Sequence, residues 1–243
     1  SADFLGKVDK SSLPQQTLME LLIGGFEHPE KITDSYGSGA PMDISEWDEV
    51  EVDEDGQVTE IRWDWMVLRG TLEVKWIPST VESLSIFEAK LTGTIDWGAL
   101  PEVMRELTLH QNEIIGELHV TTLPTTMEIL DVSINKLEGT LDLENLPPKM
   151  RDLDLSFNNF HGTVCLTRLP ETLTHLQIDH NGLSGTVDLT MLPQGMQQLD
   201  ISYTQVEGET DFSRLPRALK LLSVQNTTLC GEIRKTPDEM IDS

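Results

Sequence analysis

The chain has 243 residues, 38% hydrophobic and 24% charged, with 17 Lys and Arg against 42 Asp and Glu, a formal net charge of −25. That length suits one large domain or two small ones. The charge argues against nucleic acid or an anionic membrane as a partner, because phosphate binding needs a cationic surface, and no apolar run approaches the roughly 20 residues that span a bilayer.

The opening, SADFLGKVDK, has neither an initiator Met nor an apolar signal core. A targeting segment is therefore expected to be absent or already removed. SSLPQQTLMELLIGGF then predicts a helix. Ser11 or Ser12 can cap it, Pro14 suits its first turn, and Gly24-Gly25 stops it. Leu18, Leu21, Leu22 and Phe26 form its apolar face. The stretch from Glu27 to Ser45, rich in Gly, Pro and Ser, reads as loop. WDEVEVDEDGQVTEIRW reads as a hairpin turning at Asp55-Gly56. Residues 1–60 are thus expected to cap whatever follows. The acidic run from Asp43 to Glu60 has nine carboxylates and no Lys or Arg. It either steers a basic partner or is simply a solvated cap.

From there the chain repeats. Gly70, Gly93, Gly116, Gly139, Gly162, Gly185, Gly208 and Gly231 stand 23 residues apart without insertion. Pro78, Pro101, Pro124, Pro147, Pro170, Pro193 and Pro216 keep the same beat. Between proline and glycine runs a second pattern, as in MRELTLHQNEI, MEILDVSINKL, MRDLDLSFNNF and LTHLQIDHNGL. Its L-x-L step has period 2, so both apolar residues face one side of a short strand. Leu107 and Leu109, Leu130 and Val132, and Leu153 and Leu155 are expected to stack from coil to coil. A single unit cannot bury that face, but stacked neighbours make a continuous core. Asn112, Asn135, Asn158 and Asn181 recur where an amide can satisfy turn backbone groups within and between coils. Met104, Met127, Met150 and Met196 read as core filler. The T-(L/I/V)-D-L run after each glycine is expected to form a second short strand, and the proline to close the following turn.

The repeated apolar-x-x-L-x-L-x-x-N-x-L pattern resembles the leucine-rich repeat over about residues 47–233. The x-G-T-(L/V)-D-L-x-x-L-P-x-x-M half is similar to repeats of protists such as kinetoplastids and diatoms, related to the plant LxGxIP type. Trp47, Val50, Gly56 and Val58 match the start of plant-type repeat domains, but Glu49 stands where glycine is usual and Val52 where cysteine is usual. The resemblance implies an α/β repeat fold: a right-handed horseshoe solenoid with a parallel concave sheet, short convex strands and an N-terminal helix and hairpin cap. It places about eight coils in residues 61–233 and leaves a polar tail at 234–243.

Chemistry is harder to find. Cys165 and Cys230 are nearly three coils apart, roughly 14 Å at strand spacing, beyond the roughly 7 Å limit for bridged Cα atoms. They are expected to stay reduced. The lack of a cysteine-paired cap points the same way, to an intracellular and cytoplasmic setting. The sequon Asn226-Thr227-Thr228 points instead to a secreted or cell-surface one. His110, His175 and His180 do not converge at repeat spacing, and they read as solvated strand residues rather than a metal site. No catalytic or nucleotide-binding fingerprint is present. No enzyme activity and no cofactor are therefore expected. Asp96, Asp142, Asp188 and Asp211 recur three after the glycine, with His119 and Cys165 interrupting. They read as solvated acids, with weak cation binding as the alternative. A threonine column, Thr71, Thr94, Thr140, Thr163 and Thr186, has the regularity of an ice-binding plane, but Glu117 and Glu209 break it.

The outward positions of the L-x-L strands are the candidate site. One column contains Trp65, Ile134, Phe157, His180 and Tyr203; the next contains Phe87, His110 and Asp179; a third contains Asp131, Asp154 and Asp200. Exposed aromatic groups in adjacent coils mark contacts. They predict a protein or peptide partner with basic and apolar groups, bound without catalysis by a monomer. Isolated aromatic side chains on a solvated sheet are the plain alternative. The ligand-binding part of a secreted or surface receptor is the other functional reading.

Overall fold

The computed structural model describes residues 9–33 and 42–232. The expected tail at 234–243 and part of the expected loop, 34–41, lie outside them. Two sheets run the length of the repeat, parallel throughout except where the first strand, Val50–Val52, pairs antiparallel with Val58–Arg62. In one, the L-x-L sheet, nine strands follow in order from Val50–Val52 to Leu221–Ser223. In the other, the glycine sheet, eight strands run from Gly70–Thr71 to Thr228–Glu232. Each coil contributes one strand to each sheet.

The register is constant because the repeat has no insertion. Leu84, Leu107, Leu130, Leu153, Leu176, Leu199 and Leu222 pair in one row. Their partners two residues on, such as Leu109, Val132 and Leu155, are fully buried. Burying each such side chain contributes about 1.5–3 kcal/mol, and only the stacking of coils makes that burial available. Met104, Met127, Met150 and Met196 are also fully buried. Each proline carbonyl accepts from the N–H three residues on, as in Met104 to Pro101 at 3.0 Å and Met150 to Pro147 at 3.0 Å. That bond closes the turn into the next strand.

The asparagine ladder knits coil to coil. Asn158 Oδ1 accepts from Leu137 N at 2.9 Å, and its Nδ2 donates to Val132 O, Leu155 O and Ser156 O at 3.0–3.2 Å. Asn112, Asn135 and Asn181 repeat this pattern. The bonds reach back to the preceding coil. Thr204 and Thr227, at the same position, bond only within their own coil: both donate, to Ile201 O and Val224 O, and Thr227 also accepts from Leu229 N at 3.4 Å.

In the central coils the second strand starts earlier than the sequence pattern puts it, whereas Gln205–Asp211 does run on through the acidic position. The central strand runs into the glycine and threonine, as in Glu113–Glu117 and Asn159–Thr163. The backbone then bends at the acidic position, where Asp96 and Asp142 have ψ 85° and 77°, into 3-10 turns. Alternate residues still point inward through the bend, so period 2 survives without a strand. Asp188 and Asp211 accept from the backbone N–H two residues on. The threonine column also has a packing role. A Cβ on Gly185 would lie 2.7 Å from Thr163 Cγ2, so each threonine methyl occupies the space that the next glycine leaves empty.

At the N-terminal end, α1 (Gln15–Leu22) buries Leu18, Met19 and Leu22. It begins later than the sequence suggests. Leu13 precedes Pro14 and is held extended at ψ 139°, so Ser11 and Ser12 form a separate 3-10 turn capped by Asp9. The loop after it contains a short helix, α2 (Glu30–Thr33). The hairpin turns at Asp55-Gly56 as expected, with Asp53 Oδ1 accepting from Asp55 N and Gln57 N. Gln15 ties helix to hairpin by bonds to Gly56 O and Val58 N.

Candidate binding face

Every L-x-L strand is followed by a tight turn. Asp131, Asp154 and Asp200 are the last strand residues. Each accepts, through Oδ1, the backbone N–H and the hydroxyl of the serine two residues on: Ser133, Ser156 and Ser202, at 2.9–3.0 and 2.6 Å. These aspartates therefore shape the turn as well as border the face. Their second oxygens remain for other partners. Asp154 Oδ2 takes a bond from Gln177 Nε2 at 2.9 Å.

The column expected on the strand lies in this turn instead. Trp65, Glu88, Gln111, Ile134, Phe157, His180, Tyr203 and Asn226 all have φ between 50° and 62°. A left-handed backbone costs a non-glycine residue about 1–2 kcal/mol, and it is most unusual for bulky or β-branched side chains. The chain holds such side chains outward: Trp65 is 67% exposed, Phe157 48%, Tyr203 46% and Ile134 45%. Ile134→Asn should raise stability by about 1 kcal/mol, since asparagine tolerates this conformation. A denaturant midpoint that falls would refute the strain.

The rings are not isolated. Phe157, His180 and Tyr203 stack in consecutive coils, with centroids 3.9 and 4.1 Å apart and planes within 12° and 17°. Trp65, Phe87 and His110 form a second group, edge-to-face at 4.8 Å and stacked at 4.5 Å. Ile134 lies in a coil between the two groups. His180 and His110 are thus stacked, not freely solvated as expected. His180 Nδ1 lies 2.8 Å from Asp179 Oδ2, and His175 Nδ1 bonds Asp152 Oδ1. His110 Nδ1 sits 3.4 Å from Asp131 Oδ2 without a well-formed hydrogen bond.

The face is acidic. Burial raises Asp154 to about 6, helped by the charges of Asp131 and Asp179 and opposed by the Ser156 bonds. Asp179, buried, is also raised, chiefly by desolvation, while its bond to His180 opposes. Among the described residues, no Lys or Arg pairs with Asp131, Asp154, Asp179 or Asp200. A shallow depression of about 270 Å³ opens on this sheet, between Asp131, Asp152, Asp154, His175, Gln177 and Gln198. Among the described residues, no three His, Cys, Asp or Glu side chains converge as metal ligands.

Comparison of the coordinates with solved structures places the fold. A plant ice-binding protein superimposes over 91% of this chain and 88% of its own, at 21% identity and a TM-score of 0.52. The plant peptide hormone receptor RGFR1, solved in complex with RGF2, matches 76% of this chain at 23% identity and a TM-score of 0.56. The BIR3–SERK2 complex from Arabidopsis thaliana matches 68% of this chain and 93% of its own, at 21% identity and a TM-score of 0.55. The fold is a leucine-rich-repeat solenoid. The solenoid spans 34% of the RGFR1 chain. No protein-family model matches the sequence, and no curated protein does. In this leucine-rich-repeat solenoid the threonine column is interrupted by exposed Glu117 and Glu209. No helix among the described residues is long and apolar enough to cross a membrane.

Sequence reasoning placed Trp65, Ile134, Phe157, His180 and Tyr203 in one column, and the structure keeps them there. It missed their backbone conformation and the turn role of Asp131, Asp154 and Asp200. The thrice-repeated D-x-S was the available signal for the latter.

Proposed function

We propose that the solenoid is a non-catalytic module that binds a protein or peptide across the L-x-L face. The partner's apolar groups meet Trp65, Phe87, Ile134, Phe157 and Tyr203. Its basic groups meet Asp131, Asp154, Asp179 and Asp200, beside His110 and His180. The left-handed column carries this reading: strained backbone that holds large side chains exposed points to use. Stacked aromatic groups are rigid, and rigid anchors lose little entropy on binding.

A second reading concerns setting. The RGFR1–RGF2 complex among the similar folds favours the ligand-binding part of a secreted or surface receptor, over the intracellular setting that the unpaired cysteines suggest. Cys165 and Cys230 are free thiols. We also read the 23-residue unit as the protist type.

The test is selection from a displayed library of random peptides, with Phe157→Ala plus Tyr203→Ala as comparison. Enriched peptides are expected to carry Arg or Lys with apolar residues, and to lose at least about tenfold in affinity for the double variant. Their binding should weaken with salt, and as pH falls through about 6 and Asp154 takes up its proton. Peptides that bind the double variant equally well would remove the proposal.

A further inference from the structure

In the four central coils the ladder asparagine is buried and its amide hydrogens are used by backbone carbonyls. The last described coil is different. Its asparagine has moved one position outward, to Asn226 in the left-handed column, and Thr227 takes the ladder place. Asn226 is exposed in a turn, with φ 52°, and among the described residues its side-chain amide has no hydrogen-bond partner. Thr228, two residues on, is exposed as well. Its hydroxyl makes one long bond, 3.4 Å to Val206 O. Thr227 between them donates inward to Val224 O at 2.8 Å. Asn226 and Thr228 are thus the outward pair of an Asn-x-Thr acceptor, and no described coil stacks over them.

We infer that Asn226 is a site of N-linked glycosylation. Asn226 Nδ2 forms a C–N bond to the anomeric carbon of an oligosaccharide carried on a lipid diphosphate. The anomeric C–O bond breaks, the lipid diphosphate leaves, and the amide gives up one proton. No redox change is involved. The glycan stands one coil beyond Tyr203, in the coil whose strand Leu221–Ser223 is the sheet's edge among the described residues. Leu221 on that strand is 47% exposed. An open edge strand invites pairing with another chain, and a bulky polar group beside it opposes that. This site rests on a secretory setting but not on partner binding, since mass alone reads it.

The experiment is to pass the full chain through a eukaryotic secretory pathway behind a cleavable leader, and to weigh the secreted protein intact and as peptides. One glycan is expected, on Asn226. Asn226→Gln and Thr228→Ala should remove it, while Thr227→Ala and Thr228→Ser keep it. Release by an amidase should leave aspartate at 226. His161→Thr creates a second acceptor at exposed Asn159 and shows that the cells can modify this chain. Secreted protein with bare Asn226 overturns the inference, as does a glycan that survives Thr228→Ala.

Discussion

Asn158→Ala should destabilise the solenoid by about 4 kcal/mol, near the top of the range for single substitutions. The side chain is 8% exposed and satisfies Leu137 N together with three carbonyls. Alanine removes these partners and admits no replacement. Each buried backbone group left unpaired costs about 1–3 kcal/mol, and the N–H of Leu137 is the worst, having one bond to make. Thr204→Ala is the control. It removes one bond, to Ile201 O, and should cost about 1 kcal/mol. Equilibrium denaturation of both variants checks the ratio. Equal losses would mean that the ladder amide does no more than a hydroxyl.

Gly70→Ala should cost about 3 kcal/mol or more, and should loosen the N-terminal segment before the coils. Gly70 has φ 87°, and a Cβ there would lie 2.0 Å from Gly25 O. The obstacle is backbone. Residues 25–28 run against 68–70, with Phe26 bridged to Gly70, Glu27 N bonded to Arg69 O and His28 N to Leu68 O. Neither strand can step aside without breaking those bonds. Phe26 also packs edge-on against Trp63, centroids 6.0 Å apart, so tryptophan emission should report the loosening. Gly93→Ala is the milder comparison. Its Cβ would meet only the Thr71 methyl, at 3.0 Å, and the loss should be about 1–2 kcal/mol from the left-handed backbone. If the two variants lose the same, the contact with Gly25 is not what holds the segment down.

The core was legible because periodicity reports burial. The leucine rows, the methionine column and the proline turns all sit where a 23-residue beat puts them. Backbone direction is another matter. Thr-x-Asp-x alternates inward and outward whether it is strand or bend, so the central glycine-sheet strands were placed a few residues late. The aromatic column was visible as residues. Its stacking was not: His110 and His180 read as solvated strand residues, although rings one strand apart lie within about 5 Å and so can stack. Its left-handed conformation was hidden, because Ile134, Phe157 and Tyr203 are poor residues for it. Asp131, Asp154 and Asp200 looked like free charges, and their bonds to Ser133, Ser156 and Ser202 depend on a turn that the pattern does not reveal. The helix start at Gln15 was misplaced because the constraint that Pro14 puts on Leu13 outweighed two serine caps.

The strictly local pairing of the coils bears on how quickly the chain can fold. Within the repeat, bonded partners lie 21–26 residues apart. Divided by 243 residues, that is a relative contact order of about 0.1, in the range of helical bundles rather than of β-sandwiches. An all-β wall built this way has no long chain closure to wait for. Ordering can begin at the well-laddered centre and spread outward one unit at a time in both directions.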